Sequence, residues 1–373
     1  MKMSTVTRSW KFVVGAAAIV GGLVAANQFA FNGVPVTYNY GFYAGGTRLA
    51  IETGAGPGGG PHIRVVNPAN LNSDWGSFMT FQPGDPTNYS GGTYVARGDL
   101  NGDGTTGEII IGQLGVVKLR SASGAPVAQD ITPYGTSFKG EVRVASADLD
   151  GDGKAEIITA PGPGGGPHIR AFEQNGTPFA GQMGSGIFAY ASDFTGGVYV
   201  AAADLNGDGK AEIITGAGPG GGPHVRAFSA NGNKMAGQIG DGFYAYGSNF
   251  TGGVRVAAGY FDNSGIANIV TAPGPGGGPH IRQFNNTANP VPGQRGDGFM
   301  AYAPNFTGGV FVAVGDVDSD EPAEIITGAG AGGGPHVRAF DLTTAPVPGQ
   351  LGSGFFAYSP SFTGGVTVAA GKV

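Results

Sequence analysis

Cysteine is absent from this chain of 373 residues, and so are long helical patterns and runs of basic residues. Without cysteine the protein has no disulfide framework and no catalytic or zinc-binding thiol. In the repeated part, no segment of about a dozen residues has the apolar i, i+3, i+4 spacing of an amphipathic helix. A net charge of -6 without a basic cluster makes nucleic acid and anionic membranes poor candidates as partners.

Glycine and proline are instead abundant, with 74 and 25 residues. Without periodicity such a composition would indicate disorder. Here the tetrapeptide Thr-Gly-Gly-Val returns every 56 residues, at Thr195, Thr251, Thr307 and Thr363. The protein is therefore a ring or a stack of one repeated unit.

Each unit contains four strand-like runs, which in the copy that starts at residue 194 are 197–204, 211–218, 224–230 and 242–248. Loops of Gly, Pro, Asn and Asp separate them. Four antiparallel strands repeated radially are typical of a β-propeller blade. A stacked solenoid is the weaker alternative, because its repeats are usually shorter and its two ends would need caps.

The number of strands predicts an all-β, six-bladed β-propeller of four-stranded antiparallel blades. The C-terminal copy of the first strand lies within 363–373. It is expected to pair with the three strands at the N-terminal end of the propeller and so close the ring, which removes exposed sheet edges. If the segment 34–42 supplied its own first strand, the C-terminal strand would be surplus and could pair with another molecule. First strands are expected near Gly92, Glu141, Gly197, Gly253, Gly309 and Gly365, and second strands near Leu49, Gly107, Ala155, Ala211, Ala267 and Ala323.

The N-terminus has the layout of a secretory signal peptide. Lys2, Arg8 and Lys11 precede an apolar run, 12–26, that is too short to span a bilayer comfortably. Cleavage is expected after Ala26, and a retained membrane anchor is the alternative. The predicted organisation is a signal peptide at 1–26, a lead segment at 27–47 and a propeller at 48–373, secreted or at the cell surface.

Oxygen-bearing side chains alternate between the first and second strands of four repeats. Side chains at positions 1, 3, 5 and 9 and a backbone carbonyl at position 7 can converge on one hard cation, and a flexible oxygen cage favours calcium. We expect about four calcium sites. The predicted ligands are Asp148, Asp150, Asp152, Lys154 and Glu156; Asp204, Asn206, Asp208, Lys210 and Glu212; Asp316, Asp318, Asp320, Pro322 and Glu324; and, with one extra residue before the last ligand, Asp99, Asn101, Asp103 and Glu108.

Solvated Asp-Gly turns would explain neither this alternation nor the closing Glu, and like charges so close together are destabilising without a cation. A fifth copy, with Tyr260, Asp262, Ser264 and Asn268, has lost most of its charge and is predicted to bind no ion.

The loop is shorter than an EF-hand loop. It resembles the calcium loop of FG-GAP repeats, the blades of the integrin α-subunit head and of many secreted bacterial proteins. The namesake motifs are Phe-Thr-Gly-Gly at 194–197 and Gly-Ala-Gly-Pro at 216–219, with Ala160 and Pro161 in another copy. The resemblance covers nearly all of 48–373. It implies mainly structural metal sites on one rim and ligand binding on the opposite face. The seven blades of the integrin head differ from the six counted here.

Two further sets of residues recur once per repeat. All five histidines lie in Pro-His-(Ile/Val)-Arg, where we expect His to tie the Gly-rich loop to a blade and Arg to connect neighbouring blades. A single position in the first strands varies, and its side chains could stack on sugar rings or anchor a peptide. Packing between blades is the alternative. The ligand candidates at this position are Tyr94, Arg143, Tyr199, Arg255 and Phe311, followed by Thr367 in the last strand.

The sequence thus predicts a secreted or cell-surface, calcium-binding propeller that acts as a binding or adhesion module for glycan or protein ligands and is not an enzyme. One alternative is a polysaccharide lyase or hydrolase on the same scaffold. Against it, most carboxylates lie in the calcium loops, and the variable positions hold no isolated carboxylate pair or base–nucleophile set. The other alternative is self-assembly into a surface layer or fibre through a spare terminal strand.

Overall fold

The computed structural model describes residues 27–31, 34–38, 49–80, 91–320 and 322–372. The chain divides into two units, Met1–Phe42 and Tyr43–Val373. In the first unit, β1 (Asn27–Phe31) pairs antiparallel with β2 (Val34–Tyr38). The predicted signal peptide lies outside the described residues. Within the described ranges, no helix has the length and apolar character needed to cross a membrane.

The regular secondary structure of the second unit consists mainly of short strands. Among its described residues, helical structure is limited to four single turns of four residues each. In chain order the elements are β3 (Leu49–Ala55), β4 (His62–Val66), β5 (Asp74–Met79), β6 (Tyr94–Gly98), β7 (Glu108–Gly112), β8 (Val117–Ser121), β9 (Val142–Ala147), β10 (Glu156–Pro161), β11 (His168–Phe172), α1 (Gln182–Ser185), β12 (Ile187–Phe188), β13 (Val198–Ala203), β14 (Glu212–Ala217), β15 (His224–Phe228), α2 (Gln238–Asp241), β16 (Phe243–Tyr244), β17 (Val254–Gly259), β18 (Asn268–Pro273), β19 (His280–Phe284), α3 (Gln294–Asp297), β20 (Phe299–Met300), β21 (Val310–Gly315), β22 (Glu324–Ala329), β23 (His336–Phe340), α4 (Gln350–Ser353), β24 (Phe355–Phe356) and β25 (Val366–Lys372).

These strands form six antiparallel sheets, one for each predicted blade. Four sheets contain four consecutive strands, as in β13-β14-β15-β16, and a fifth has the order β25-β3-β4-β5. The sixth, β6-β7-β8, has three strands among the described residues, and its fourth position carries one bridge between Val117 and Ile131. The prediction of six blades is confirmed. The expectation of four strands per blade holds for five of them.

The C-terminal strand closes the ring, as predicted. Its register with β3 runs from Val366 opposite Ala55 to Lys372 opposite Leu49. The described strand of the segment 34–42, β2, pairs with β1, and the C-terminal strand is not surplus because it pairs with β3. The six first strands contact one another in the cyclic order β6, β9, β13, β17, β21, β25 and again β6. They therefore line a central axis.

In four of the six blades, one tyrosine connects the blade to the next one by the same hydrogen bond. The Tyr190 hydroxyl lies 2.8 Å from the carbonyl oxygen of His224, to which it donates. Tyr246 and Tyr302 make the same contact one and two blades further on. At the closure, Tyr358 donates to the His62 carbonyl at 2.8 Å. The last interface therefore uses the same bond as the interfaces inside the ring.

The repeated arginines reinforce these interfaces, as predicted, although their partners are backbone carbonyls. Arg226 Nη1 donates to Ala189 O of the preceding blade at 2.9 Å. Arg64 makes the equivalent bond to Ala357 across the closure. Where β8 has Lys118 in place of this arginine, its Nζ donates to Thr80 O at 2.6 Å. A cation bonded to the preceding blade is thus retained although the side chain differs.

The namesake glycines are required because backbones approach closely where the blades meet. The Gly218 N–H donates to the Gly197 carbonyl at 2.9 Å. A Cβ added at Gly218 would lie 2.0 Å from the oxygen of Gly196, and one at Gly197 would lie 2.4 Å from the carbonyl carbon of Gly162 in the preceding blade. Any side chain there would push two strands apart, which accounts for the recurrence of Gly-Gly and Gly-Ala-Gly.

The core lies between the blades, so the second strands are covered on both faces. All six residues of β14 are buried, and Ile213 and Ile214, which point to opposite faces, have no exposed surface. This explains their continuous apolar sequence in place of an alternating one. Each such side chain contributes roughly 1.5–3 kcal/mol by burial.

Candidate functional site

The four predicted metal loops lie at one end of the ring. Each connects the end of a first strand to the start of the second strand in the same blade, as between β9 and β10. The Gly-rich loops, the histidines and the starts of the first strands lie at the opposite end, because the strands of a blade alternate in direction. The topology therefore separates the acidic loops from the variable first-strand positions.

The loop from Asp148 to Glu156 turns its carboxylates toward a common point. Asp148 accepts hydrogen bonds from the Gly151 N–H at 2.6 Å and the Gly153 N–H at 2.9 Å. Asp148, Asp150 and Asp152 each offer an oxygen within 4.8 Å of the others. Two oxygens on opposite sides of a calcium ion are separated by about 4.6–5.2 Å, since each Ca–O distance is about 2.3–2.6 Å. The three carboxylates are therefore close enough to share one ion.

The loop that begins at Asp316 brings together a different set of oxygens. Here Asp316, Asp318 and the buried Glu324 offer oxygens within the same 4.8 Å limit. Glu324 is oriented by the Val317 N–H, which donates to Oε2 at 2.8 Å. Ser319 has a φ of 70°, at a position where the other three loops have glycine. The fold thus forces the same turn on a less suitable residue.

In the two loops with asparagine at position 3, the amide lies among the carboxylates. Asn206 Nδ2 is 2.7 Å from Glu212 Oε1 and 3.2 Å from Asp208 Oδ2. Asn101 makes the same two contacts, at 3.0 Å to Asp103 and 3.3 Å to Glu108. Two carboxylates therefore converge on one donor, so these loops too concentrate negative potential at a point.

The closing glutamates show how little of this negative charge the surroundings offset. Burial, together with Asp150, Glu173 and Asp148, raises the pKa of Glu156 to about 8. Burial and the three loop aspartates raise the pKa of Glu324 to about 8 as well. Oxygen donors that are this close and this poorly compensated fit a hard divalent cation.

At position 7, each lysine side chain lies against the preceding loop. Lys154 lies over Gly102 of the preceding loop, and Lys210 lies over Gly151. Their backbone N–H groups donate to Asp152 at 2.8 Å and to Asp208 at 2.9 Å. The role of the Lys154, Lys210 and Pro322 carbonyls as ligands stays a prediction.

The fifth loop keeps the turn without the acids. Tyr260 replaces the first aspartate, and its hydroxyl accepts a bond of 3.4 Å from the Asp204 N–H. The Ser264 N–H donates to Asp262 at 2.9 Å. Asp262 is the only carboxylate of this loop, 260–268.

The five ligand candidates of the first strands meet at the axis and pack on one another. The Arg143 guanidinium lies 3.6 Å from the centre of the Tyr199 ring, and the Arg255 guanidinium lies 3.7 Å from that of Phe311. Tyr94 and Phe311 meet edge to face at 6.1 Å. These contacts are those of packing between blades, the alternative considered above, and ligand binding by these residues stays a prediction.

A buried ion pair in the closing blade has no counterpart among the predicted sites. Glu52 in β3 and Arg97 in the neighbouring β6 lie 2.6 Å apart, with side chains 0% and 1% exposed. A signal was present, because Glu52 aligns with Ile214 and Arg97 with Ala202 in the repeat. The spacing alone did not show that the two substitutions face each other.

Grooves between the blades open on the outside, at the end opposite the acidic loops. In one, the His224 ring stacks on Tyr244 at 4.9 Å, with Tyr190 of the preceding blade 5.9 Å away. Burial and the nearby Arg226 lower the pKa of His224, which keeps the imidazole neutral. The side chains at the Tyr244 position are about half exposed in four blades: Phe188, Tyr244, Met300 and Phe356.

The groove at the ring closure differs from the others. It has a volume of about 600 Å³, and its lining includes Phe356, His62 and Ser77. His62 Nε2 and Ser77 Oγ are 2.7 Å apart. Burial and Arg64 lower the pKa of His62 to about 4. Among the grooves of the described residues, this one combines the recurring aromatic wall with a polar wall that the long strand β5 supplies.

The closed ring and its acidic hairpin loops define the class of the protein. It is a six-bladed β-propeller with two loops whose carboxylates could hold a metal ion, those beginning at Asp148 and Asp316.

Comparison with known families places the repeat. The FG-GAP-like repeat matches residues 148–215, which extend from one acidic loop to just beyond the next. Since this pattern recurs around the ring, the chain is an FG-GAP repeat β-propeller protein.

No curated protein matches the chain. Among solved structures it is similar to the rhamnogalacturonan lyase YesW, with 14% identity and a TM-score of 0.37 over 79% of this chain and 63% of the lyase. A rhamnogalacturonan lyase from Bacillus licheniformis is 14% identical, with a TM-score of 0.37 over 81% of this chain and 64% of the lyase. The dihydro-haem d1 dehydrogenase NirN is 13% identical, with a TM-score of 0.39 over 84% of this chain and 57% of the dehydrogenase. The chain spans less than two thirds of each of these proteins.

Proposed function

We propose that the protein is a secreted or cell-surface binding propeller, stabilised by calcium in its acidic loops, that binds a glycan or protein ligand through the outer grooves at the opposite end. The observation that carries the binding role is the row of half-exposed apolar side chains. Three of them, Phe188, Tyr244 and Phe356, pack against the histidine of the same blade with ring centres 4.9–5.0 Å apart. Exposed aromatic rings fixed in orientation suit sugar rings or apolar side chains of a partner.

Calcium is the cation that the loops fit best. Their side-chain donors are carboxylate and amide oxygens, and the chain has no cysteine that would favour a softer metal. Three carboxylates converge in each of two loops, and in each of the other two a pair of carboxylates converges around the amide nitrogen of the asparagine. We therefore infer about four ions, each joining a first strand to a second strand.

The closure groove is the first candidate for specific recognition of a ligand. Phe356 offers an aromatic face, while the Arg64–Asp74 pair and Ser77 offer charged and hydroxyl groups close by. Sugars present both an apolar ring face and hydroxyl groups, so this pairing of walls favours a glycan.

The proposal is tested on a glycan array with the full chain in calcium-containing buffer. The double variant Tyr244→Ala and Phe356→Ala is expected to lose at least tenfold in signal. Tyr260→Ala is the matched control, because Tyr260 is a similarly exposed aromatic residue at the acidic-loop end. Equal profiles for all three proteins would contradict binding at the outer grooves, and release of unsaturated sugars from a bound polysaccharide would favour the lyase alternative.

A further inference from the structure

The axial layer contains two buried cations whose hydrogen-bonding groups are incompletely used. Arg143 and Arg255 are 3% and 5% exposed. Among the described residues, Nε and Nη1 of each have no hydrogen-bond partner. Leaving a buried polar group unpaired costs about 1–3 kcal/mol, and more when it is charged. The fold is therefore expected to supply a partner that is not part of the chain.

The neighbouring aromatic rings do not meet this need. Tyr199 and Phe311 lie over the flat faces of the two guanidinium groups, at 3.6 and 3.7 Å. The N–H bonds of a guanidinium point outward in its plane, so stacking covers the faces and leaves the edges open. An acceptor in the plane of the groups is still missing.

The charge of the layer is also unbalanced. Glu141 lies 3.6 Å from Arg143 and accepts a bond of 3.0 Å from the Tyr94 hydroxyl. Within the described part of the chain, no carboxylate lies within ion-pair distance of Arg255. Although burial opposes ionisation, Arg143 and Arg255 lower the pKa of Tyr199 below its usual value. The layer therefore carries a surplus of about one positive charge.

A cavity is present where the partner is needed. It has a volume of about 80 Å³ and is lined by two successive residues of each first strand, including Arg143, Arg255 and Thr367. A water molecule needs roughly 10–15 Å³ measured in this way, so the space suffices for a small ion but not for a sugar. Thr367 already donates to Thr93 O at 2.7 Å and does not fill it.

We propose that the axial cavity binds one small monovalent anion, of the size of chloride, between Arg143 and Arg255. The anion accepts the in-plane N–H groups of both arginines and offsets the surplus charge. Water could accept the same bonds but would leave the charge uncompensated. This site is independent of the outer grooves and of the acidic loops.

The direct test is a crystal of the full chain soaked in bromide. An anomalous peak between the two guanidinium groups is expected. If the electron density resolves both side chains and no such peak is present, the proposal is overturned.

The second test measures melting at fixed calcium and ionic strength while chloride replaces glutamate, whose anion is too large for the cavity. Above the dissociation constant, each tenfold rise in chloride is expected to raise the Tm by about 2 °C. Arg255→Thr, which introduces the residue that the last strand carries at this position, is expected to abolish the dependence. The control Lys234→Thr removes an exposed positive charge and is expected to keep it.

A dependence on chloride that survives in Arg255→Thr, or is lost in Lys234→Thr, would assign the effect to the surface and refute the site. If Arg255→Thr does not fold, Arg143→Thr is measured in the same way, and the bromide peak in the wild-type crystal decides without any variant.

Discussion

Removing one side of the Glu52–Arg97 ion pair should damage the closing interface far more than removing both sides. In Arg97→Ala the Glu52 carboxylate keeps its buried position without a counter-ion. Breaking a buried pair in this way costs about 3–5 kcal/mol. Glu52→Ile leaves Arg97 unpaired in the same interface, although its Nη1 still donates to Thr106 O at 2.5 Å. We expect that loss to be slightly smaller.

The double variant Glu52→Ile with Arg97→Ala recreates the apolar pair that an equivalent interface between blades already uses, Ile214 in β14 and Ala258 in β17. Neither Glu52 oxygen has a well-aligned hydrogen bond among the described residues, so the native pair is poorly satisfied. Replacing such a pair by apolar residues is often neutral or stabilising by about 1–4 kcal/mol. The coupling energy of the double-mutant cycle should therefore exceed about 3 kcal/mol.

The sign of the pH dependence gives a second readout. Burial raises the pKa of Glu52 even with Arg97 beside it. In Arg97→Ala the folded state therefore binds a proton more tightly than the unfolded state does, and unfolding releases it. The stability of this variant should rise as the pH falls from 7 toward the ordinary glutamate pKa of about 4.3. Because Glu156 and Glu324 contribute the same slope to every variant, the comparison is with the wild type, from which the double variant should not differ in pH dependence.

The assay is urea denaturation followed by circular dichroism, with calcium held constant. A single-variant loss below about 1 kcal/mol, or a double variant as unstable as Arg97→Ala, would refute the reasoning, because either result means that the pair is not desolvated in solution.

Three further predictions concern the loops and the closure. Chelation of calcium should lower the Tm without removing the β-sheet signal. With dissociation constants of about 0.1–1 mM, each ion contributes only about 0.4–1.4 kcal/mol to the free energy of unfolding at about 1 mM calcium. A melting curve that EDTA leaves unchanged would count against bound ions. Ser319→Gly should raise the free energy of unfolding by about 0.5–1 kcal/mol, because Ser319 has a φ of 70°; urea denaturation measures this, and a loss of stability would contradict it. Tyr358→Phe and Tyr246→Phe should each cost about 1–3 kcal/mol, because each leaves a carbonyl of the next blade unpaired; markedly different losses would mean that the closure is not equivalent to the other interfaces.

The repeat made much of the fold predictable. A strict period fixes the number of blades and the starts of the first strands, because every copy must solve the same packing problem. The closing pairing followed from a last copy that lacks its second strand and a first copy that lacks its first strand. The structure confirms this pairing, in which Val366 lies opposite Ala55.

The fourth strands show where local pattern fails. The run 242–248 predicted seven residues of strand, but β16 contains only Phe243 and Tyr244. Tyr246 leaves the sheet to bond the His280 carbonyl of the next blade. The alternation of apolar residues within a short segment cannot show that a tyrosine of this segment bonds to the neighbouring blade, because that blade comes from a different part of the sequence.

The axial layer shows the same limit for the site. The variable position was visible in sequence, but its exposure depends on how tightly six first strands close around the axis. At this curvature Arg143 reaches both Tyr94 and Tyr199 and becomes buried. The loops were easier to predict, since Asp148, Asp150 and Asp152 are close in the chain and their convergence needs only one local turn.

The pairing of β25 with β3 joins one of the last segments of the propeller to one of its earliest. During synthesis, five blades can form and pack while the edge of β3 is still unpaired, and this edge is covered only when β25 pairs with it. The ring therefore closes only after β25 has been synthesised, and a polypeptide that stops before Val366 would leave the edge of β3 open to proteases and to pairing with other incomplete chains.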